Sequence, residues 1–219
     1  MNKDYLPYLE HYTFHQEEGI FHISSDTTIL GMCLDDLHHK TVMDMGCGTG
    51  ALLFYAKHKN AGKIIGVDMN EKALEIADKN LSQYFTDYEL IHSKVQELKI
   101  PQVDVIICNP PFFEVNQMRD NENYNHAMFD ETMSIDDMFN TFRRLLKDNG
   151  EAYVLYTADR VLQVLESASK YKFKAMKMRF VHDTRRPYAL RVFIKFKRGP
   201  ITKVNVEPPV YIDENGLHF

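Results

Sequence analysis

The segment TVMDMGCGTG, residues 41–50, joins a short apolar strand to a glycine-rich turn. The apolar run Thr41–Met45 is typical of a buried strand, and the run Ala51–His58 that follows the glycines is typical of a helix. Glycines let the backbone approach a ligand closely, and the start of a helix offers unpaired N–H groups. A strand, a glycine turn and a helix in this order predict the opening of a nucleotide-binding β-α-β unit.

A second apolar strand, Lys63–Val67, ends in Asp68, eighteen residues beyond Gly50. A carboxylate at the end of this strand can accept hydrogen bonds from both hydroxyls of a ribose. The glycine turn alone is weak evidence, but the turn and Asp68 at this spacing together predict a nucleotide cofactor. The candidate cofactor-binding residues around the turn and the acid are Asp44, Gly46, Cys47, Gly48, Gly50, Asp68 and Met69.

The stretch DVIICNPPFF, residues 104–113, points to the chemistry. Its apolar run is typical of a buried parallel strand, and the two prolines end that strand because they cannot donate to a sheet ladder. The side-chain carbonyl of Asn109 and the backbone carbonyl of Pro110 are two acceptors that can hold both hydrogens of an exocyclic amino group. Holding them there draws the nitrogen lone pair out of conjugation with the ring, while Phe112 offers a face on which a flat group can stack.

The tetrapeptide Asn109–Phe112 resembles the (Asn/Asp/Ser)-Pro-Pro-(Tyr/Phe) motif of S-adenosylmethionine-dependent methyltransferases that act on amino nitrogens of adenine, guanine or glutamine. The turn and Asp68 alone fit nicotinamide cofactors as well. However, the glycine pattern of residues 44–50 is more similar to the methyltransferase form than to the G-x-G-x-x-G of dehydrogenases. The resemblance therefore implies S-adenosylmethionine as the cofactor. The catalytic residues that it implies are Asn109, Pro110, Pro111 and Phe112.

The resemblance also implies a contact for the adenine of the cofactor after the third strand, Tyr88–His92. The family usually has an acid at this place, whereas this sequence has Lys94. We therefore expect main-chain groups of Lys94 and Val95 to make the adenine contact.

The order of predicted elements indicates an α/β fold. The strands Lys174–His182 and Ala189–Lys197 are joined by only six residues, which is too short for a parallel crossover, so they form an antiparallel pair. A mostly parallel seven-stranded sheet that closes with an antiparallel hairpin, with helices on both faces, is similar to the class I methyltransferase (Rossmann-like) fold. We expect a single domain over residues 1–219, with an N-terminal cap and helix (1–40), a catalytic core (41–199) and a C-terminal tail (200–219).

The segment Lys172–Lys203 is strongly basic in an otherwise acidic chain. It contains eleven Lys and Arg residues and one acid, Asp183, so it carries +10 within a net charge of −5. A local basic segment of this kind predicts contact with a polyanion, although alternating cations could also form the solvent face of a hairpin. The candidate RNA-binding residues are Phe113, Arg179, Arg185, Arg186 and Arg191.

Further segments narrow the resemblance to the bacterial valine-tRNA adenine N6-methyltransferases, which modify the adenine just 3′ of the anticodon. These segments are Phe21–Leu30, the glycine loop, Asn109–Phe112, Thr157–Leu162 and Val206–Gly216. The family implies tRNA as the partner and adenine N6 as the acceptor. One departure is Ala127–Glu131, where relatives often carry a more basic Ala-Arg-His-Glu.

Composition excludes several classes of protein. Cys33, Cys47 and Cys108 are odd in number and widely spaced, so they predict neither a disulfide framework nor a zinc site, and we expect no metal. The first residues lack the layout of a signal peptide and no apolar run approaches a membrane span, so we expect a cytoplasmic protein without membrane contact. The alternatives that remain are guanine N2 methylation of rRNA, glutamine N5 methylation of a release factor, a cofactor-holding RNA-binding scaffold and, least favoured, a dehydrogenase.

Overall fold

The structure is a computed structural model and describes residues 2–17, 23–110, 133–200 and 203–219. The strands are β1 (Asn2–Leu6), β2 (Leu9–Gln16), β3 (Thr41–Met45), β4 (Lys63–Asp68), β5 (Tyr88–His92), β6 (Val103–Cys108), β7 (Leu146–Thr157), β8 (Phe173–Asp183), β9 (Ala189–Arg198), β10 (Asn205–Val206), β11 (Val210–Asp213) and β12 (Gly216–His218). The helices are α1 (Ser25–Cys33), α2 (Ala51–His58), α3 (Glu71–Leu81), α4 (Ile135–Leu145) and α5 (Val161–Lys170). A single turn of 3₁₀ helix, Ala158–Arg160, precedes α5.

The large sheet has the strand order β12-β11-β8-β9-β7-β6-β3-β4-β5. Strands β5, β4, β3, β6 and β7 are parallel, and β9 runs antiparallel to both β7 and β8. The predicted closing antiparallel hairpin is therefore confirmed. Because β3 lies between β4 and β6, the chain leaves β3 toward one side and later returns to the other, which creates a crevice at the carboxyl ends of these strands.

The seven predicted strands of the sheet are present as β3 to β9, and the sheet extends beyond them. In the described part of the chain the sheet has ten strands, because the segment 203–219, which we expected to be a tail, adds three. Both β10 and β11 pair in parallel with the outer edge of β8, and β12 pairs with β11. An unpaired strand edge offers a row of backbone donors and acceptors, and Val210 of β11 is fully buried where it covers that edge.

Helices cover both faces of the sheet, as predicted. One core cluster packs the sheet against α1, α2 and the hairpin β1-β2, and it contains Phe14, Phe54 and Tyr55. The other packs it against α4 and α5, and it contains Phe139 and Phe142. Neighbouring residues of the central strands, such as Ile106 and Ile107 of β6, alternate between the two clusters, as the period of a β-strand requires.

Helix α4 begins at a capping box formed by Ser134 and Asp137. The Ser134 hydroxyl accepts a hydrogen bond from the Asp137 N–H, and the Asp137 carboxylate accepts one from the Ser134 N–H. Among the residues that the structure describes, no helix combines the length and apolar character that a membrane span requires.

Candidate active site

The glycine turn after β3 is folded back onto β4. The N–H groups of Gly46 and Cys47 both donate to the carbonyl of Val67, at 2.9 and 3.0 Å. Gly48 has a φ of +51°, and a Cβ atom there would meet no atom within 4 Å. The left-handed backbone favours glycine at this position, and the open space beside it leaves the backbone accessible to a ligand.

Asp68 fixes the turn from the end of β4. Its Oδ2 accepts the N–H of Gly48 at 2.8 Å, and its Oδ1 accepts the N–H of Asn70 at 2.9 Å. Burial raises the pKa of Asp68 above its ordinary value, although these backbone bonds oppose the shift. Each carboxylate oxygen has a further lone pair, so Asp68 can still accept bonds from the hydroxyls of a ribose.

Asp44 is a buried carboxyl group beneath the turn. Only 1% of the residue is exposed, and neither carboxylate oxygen has a hydrogen-bond partner among the residues that the structure describes. Burial, reinforced by the charge of Asp68, raises the pKa of Asp44 to about 8. A buried polar group without a partner is costly, so a cationic group in the crevice would relieve this cost. The observation fits a sulfonium- or ammonium-bearing cofactor.

A pocket lies beside the turn, between the ends of β4 and β5. It is lined by Gly46, Val67, Asp68, Met69, Ser93, Lys94, Val95, Gln96 and Met133. The predicted adenine residues Lys94 and Val95 are thus brought together with the predicted turn residue Gly46 and with Asp68 and Met69. The N–H of Ser93 donates to the carbonyl of Asp68 at 3.0 Å, which holds the two strand ends together.

Asn109 follows β6 at the same edge of the sheet as the glycine turn. The residue before it, Cys108, pairs with Met45, the residue before Gly46. The side-chain oxygen of Asn109 is buried and has no hydrogen-bond partner in the described part of the chain. Pro110 is buried as well. The remaining predicted residues of this motif, Pro111, Phe112 and Phe113, and the segment Ala127–Glu131 lie outside the described residues.

Two residues that support the site were not predicted. Asn80 on α3 is fully buried and donates to the carbonyl of Thr49 in the glycine turn. Arg144 on α4 donates to the carbonyls of Val95, at 2.8 Å, and of Gln96, at 3.1 Å, in the loop that follows β5. One sequence signal could have indicated Asn80, because it is a polar residue on the apolar face of an amphipathic helix. Nothing in the sequence around Arg144 distinguishes it from a surface cation.

The predicted RNA-binding arginines differ in their surroundings. Arg179 pairs with Glu207 at 2.8 Å and Arg191 with Asp26 at 3.0 Å, and both are largely covered. Arg185 pairs with Asp183 but keeps 76% of its side chain exposed. Arg186 is exposed. The charge of +10 counted along this segment is larger than the unpaired charge in the folded protein, because acids from other elements pair with some of its cations.

Acids that are distant in the sequence neutralise the middle of the hairpin. Lys195 pairs with Asp35 at 2.8 Å and with Glu151 at 2.9 Å, and Lys177 also donates to Asp35. Burial alone would raise the pKa of Asp35, but the hydrogen bonds from these two lysines lower it to about 2. Mid-strand lysines are therefore engaged in partly buried ion pairs within the fold.

The chain matches one family model and is similar in sequence to several known proteins. The family model described as methyltransferase small domain matches residues 11–180. The tRNA1(Val) (adenine(37)-N6)-methyltransferase of Dyadobacter fermentans is 28% identical over 208 residues, which cover 93% of this chain and 87% of that protein. The protein of the same name from Flavobacterium psychrophilum is 24% identical, covering 94% of this chain and 90% of its own.

Two solved structures with similar folds are named as methyl-transferring enzymes. The ribosomal protein L11 methylase of Lactobacillus delbrueckii subsp. bulgaricus superimposes with a TM-score of 0.62 at 14% identity, covering 84% of each chain. The magnesium protoporphyrin IX methyltransferase of Synechocystis, solved with bound S-adenosylmethionine, has a TM-score of 0.53 at 18% identity and covers 75% of this chain and 72% of its own. The predicted class I methyltransferase fold is confirmed.

Proposed function

Because the chain belongs to the methyltransferase small domain family, we propose that it methylates the N6 amino group of an adenine in tRNA, with S-adenosylmethionine as the donor. Family membership and fold establish the enzyme class and the cofactor. The methyl acceptor and the roles of individual residues are our proposal.

The crevice at the carboxyl ends of β3, β4 and β6 would hold the cofactor. Asp68 would accept hydrogen bonds from the ribose hydroxyls. Main-chain groups of the turn from Gly46 to Gly50 would contact polar groups of the cofactor. Asp44 lies beneath this turn without a hydrogen-bond partner in the described part of the chain, so it would face the cationic end. Main-chain groups of Lys94 and Val95 would contact the adenine. When bound, S-adenosylmethionine supplies an electrophilic methyl group on a sulfonium sulfur.

The observation that carries the proposal is the buried side-chain oxygen of Asn109, which has no partner among the described residues. A buried acceptor without a donor is complementary to a group that arrives with the substrate. Together with the carbonyl of Pro110, this oxygen would accept both hydrogens of the amino group. The nitrogen lone pair would then be directed toward the methyl group, and Phe112 would stack on the base.

Catalysis on this scheme depends mainly on positioning. The amino nitrogen forms the new N–C bond as the S–C bond breaks, and the nitrogen then carries a positive charge and an acidic proton. That proton passes to water, so no strong general base is required. The role of Asn109 is to hold and polarise the nucleophile.

Relatives guide the choice of acceptor. The two curated proteins above are named for methylation of adenine 37 in tRNA1(Val), and each aligns with more than nine tenths of this chain. We therefore take adenine 37 of valine tRNA as the acceptor, which the protein would meet in the cytoplasm. Arg179, Arg185, Arg186, Arg191 and Phe113 remain the proposed RNA contacts, with the exposed Arg185 and Arg186 the more accessible. Guanine N2 of rRNA and glutamine N5 of a release factor are the alternative acceptors.

The deciding experiment measures the transfer of labelled methyl from S-adenosylmethionine to unmodified tRNA and rRNA transcripts, followed by digestion to nucleosides. We expect N6-methyladenosine in valine tRNA and none in a matched transcript in which only adenine 37 is replaced by guanine. Label in guanosine, or label in protein but not in RNA, would overturn the proposed acceptor. RNA binding without transfer to any substrate would support a scaffold instead.

A further inference from the structure

The turn between β8 and β9 presents an aromatic ring and two arginines to solvent. All five residues of the turn, Thr184–Tyr188, are exposed, and Tyr188 keeps 57% of its surface accessible. Nη1 of Arg186 donates to the Tyr188 hydroxyl at 3.2 Å. This bond holds a guanidinium group at the edge of the ring.

The turn is held firmly at its base. Asp183 accepts two bonds from the Arg185 guanidinium, at 2.8 and 2.7 Å, and Thr184 N–H donates to the carbonyl of Ile212 in β11 at 2.9 Å. The charge of Arg185 is therefore already matched. By contrast, no carboxylate among the side chains that the structure describes lies within ion-pair distance of Arg186, and Asp183, whose pKa the charge of Arg186 helps to lower, already binds Arg185. A preorganised turn with an unmatched cation loses little entropy when it binds an anionic ligand.

Sheet topology places the turn at the catalytic edge. Cys108, the residue before Asn109, pairs with Val154 of the parallel strand β7. Three residues further along β7, Thr157 pairs with Arg191 of β9, which in turn pairs with Val181 of β8. The hairpin turn thus projects beyond the carboxyl end of β7, on the same edge as Asn109. At about 4.8 Å per strand, it lies about 10 to 14 Å to the side.

The other cations of the hairpin are directed elsewhere. Lys174 pairs in register with Lys197, and Phe173 with Arg198, at the opposite edge of the sheet. The mid-strand lysines are engaged by Asp35 and Glu151. Arg186 is therefore the hairpin cation that combines exposure, an unmatched charge and a position at the catalytic edge.

We propose that Tyr188 and Arg186 form a docking point for the unpaired nucleotides that flank the target adenine. Tyr188 stacks on a flanking base, and Arg186 contacts the neighbouring phosphate. This pairing of an aromatic ring with a cation is how proteins hold single-stranded nucleic acid without reading its sequence. The inference rests on the proposed RNA acceptor and adds how the loop is held while its adenine enters the site.

The test measures binding of an unmodified anticodon stem-loop transcript, without cofactor, over a range of salt concentrations. Tyr188→Ala should weaken binding by about tenfold at every salt concentration, whereas Tyr188→Phe should retain the affinity because the stacking face remains. Arg186→Gln should lower the slope of log K against log salt by about 0.7, since one phosphate contact is lost. Unchanged thermal unfolding would show that each variant is folded.

A matched control removes two charges at the other end of the hairpin. In Lys172→Asn with Lys174→Gln, asparagine suits the positive φ of +66° at residue 172. The proposal is overturned if this control weakens RNA binding as much as the turn variants do, or if Tyr188→Ala binds like the unmodified protein. Because the readout is binding, a protein that binds RNA through this turn but methylates none would refute the acceptor and not the docking point.

Discussion

Asn80 on α3 donates a hydrogen bond to the backbone carbonyl of Thr49 inside the glycine turn, with 3.1 Å between Nδ2 and the oxygen. The same carboxamide accepts the N–H of His15 at 2.8 Å and donates to its carbonyl at 3.1 Å. One buried side chain therefore connects the glycine turn to the N-terminal hairpin β1-β2.

Asn80→Ala should lower both stability and cofactor affinity. The change leaves three backbone groups without their partner in a buried place, which should cost about 2 to 3 kcal/mol of the free energy of unfolding. Cofactor affinity should also fall, because the turn loses a support. Urea unfolding and calorimetric titration with S-adenosylmethionine measure the two effects. Gln83→Ala, which removes an exposed side chain just after α3, is the control. Full affinity in a destabilised Asn80→Ala protein would show that the turn does not depend on the hairpin.

Asn109→Ala should separate binding from chemistry. The side chain holds the acceptor amine in our scheme, so the single-turnover rate should fall by about 100-fold or more, while affinity for S-adenosylmethionine stays near normal. Asn109→Asp keeps an acceptor oxygen and should retain part of the activity. Equal rates for the Ala variant and the parent protein would refute the proposed mechanism.

The raised pKa of Asp44 predicts a pH-dependent stability. The unfolded carboxyl titrates near 4 and the folded one at about 8. Between these values the folded state binds more protons, so the free energy of unfolding of the cofactor-free protein should fall as pH rises from about 4 to 8. Asp44→Asn should remove this loss and stabilise the protein at pH 8 by about 1 to 3 kcal/mol.

The same variant should bind S-adenosylmethionine more weakly, because a cation would no longer meet a carboxylate. In the parent protein, cofactor binding at pH 7 should release protons from Asp44. Calorimetry in buffers of different ionisation enthalpy detects this release, and it should be absent in Asp44→Asn. Equal proton release in both proteins would assign the effect to another group.

Arg144→Ala should loosen the loop that follows β5. Its guanidinium donates hydrogen bonds to the backbone carbonyls of Val95, Gln96 and Leu98. Without these bonds, affinity for S-adenosylmethionine should fall by about tenfold, which corresponds to about 1.4 kcal/mol. The adjacent Arg143→Ala removes an exposed cation of the same helix and should leave the affinity unchanged. Equal losses in both variants would point to overall charge instead.

The elements that the sequence predicts well are those with local signals. β3, β6 and the other central strands are buried on both faces, so they appear as short apolar runs between turn residues. The glycine turn and Asp68 are spaced by the geometry of one β-α-β unit, and the structure brings them within a single hydrogen bond. The local sequence pattern predicts the glycine turn and Asp68 because these two features are close together in the chain.

The features that the sequence did not predict depend on distant partners. Strands β10, β11 and β12 are short, and their pairing follows from the free edge of β8. The basic hairpin meets its partner acids only after folding, because Asp35, Glu151 and Glu207 are distant in the sequence. A count of charges along the sequence therefore overestimates the positive charge on the hairpin surface. Arg144 donates to the loop that follows β5 from a helix about fifty residues away in the sequence.

The N-terminal hairpin also has consequences for how the chain folds as it is synthesised. Tyr8 donates its hydroxyl hydrogen to the carbonyl of Leu217, 209 residues later, and its ring meets that of Phe219 edge to face at 5.7 Å. The first two strands leave the ribosome early, yet these contacts cannot form until residues 217–219 have emerged. The hairpin can pair with itself and with Asn80 before that point, but its contacts to residues 217–219 form at the entropic cost of closing a very long loop.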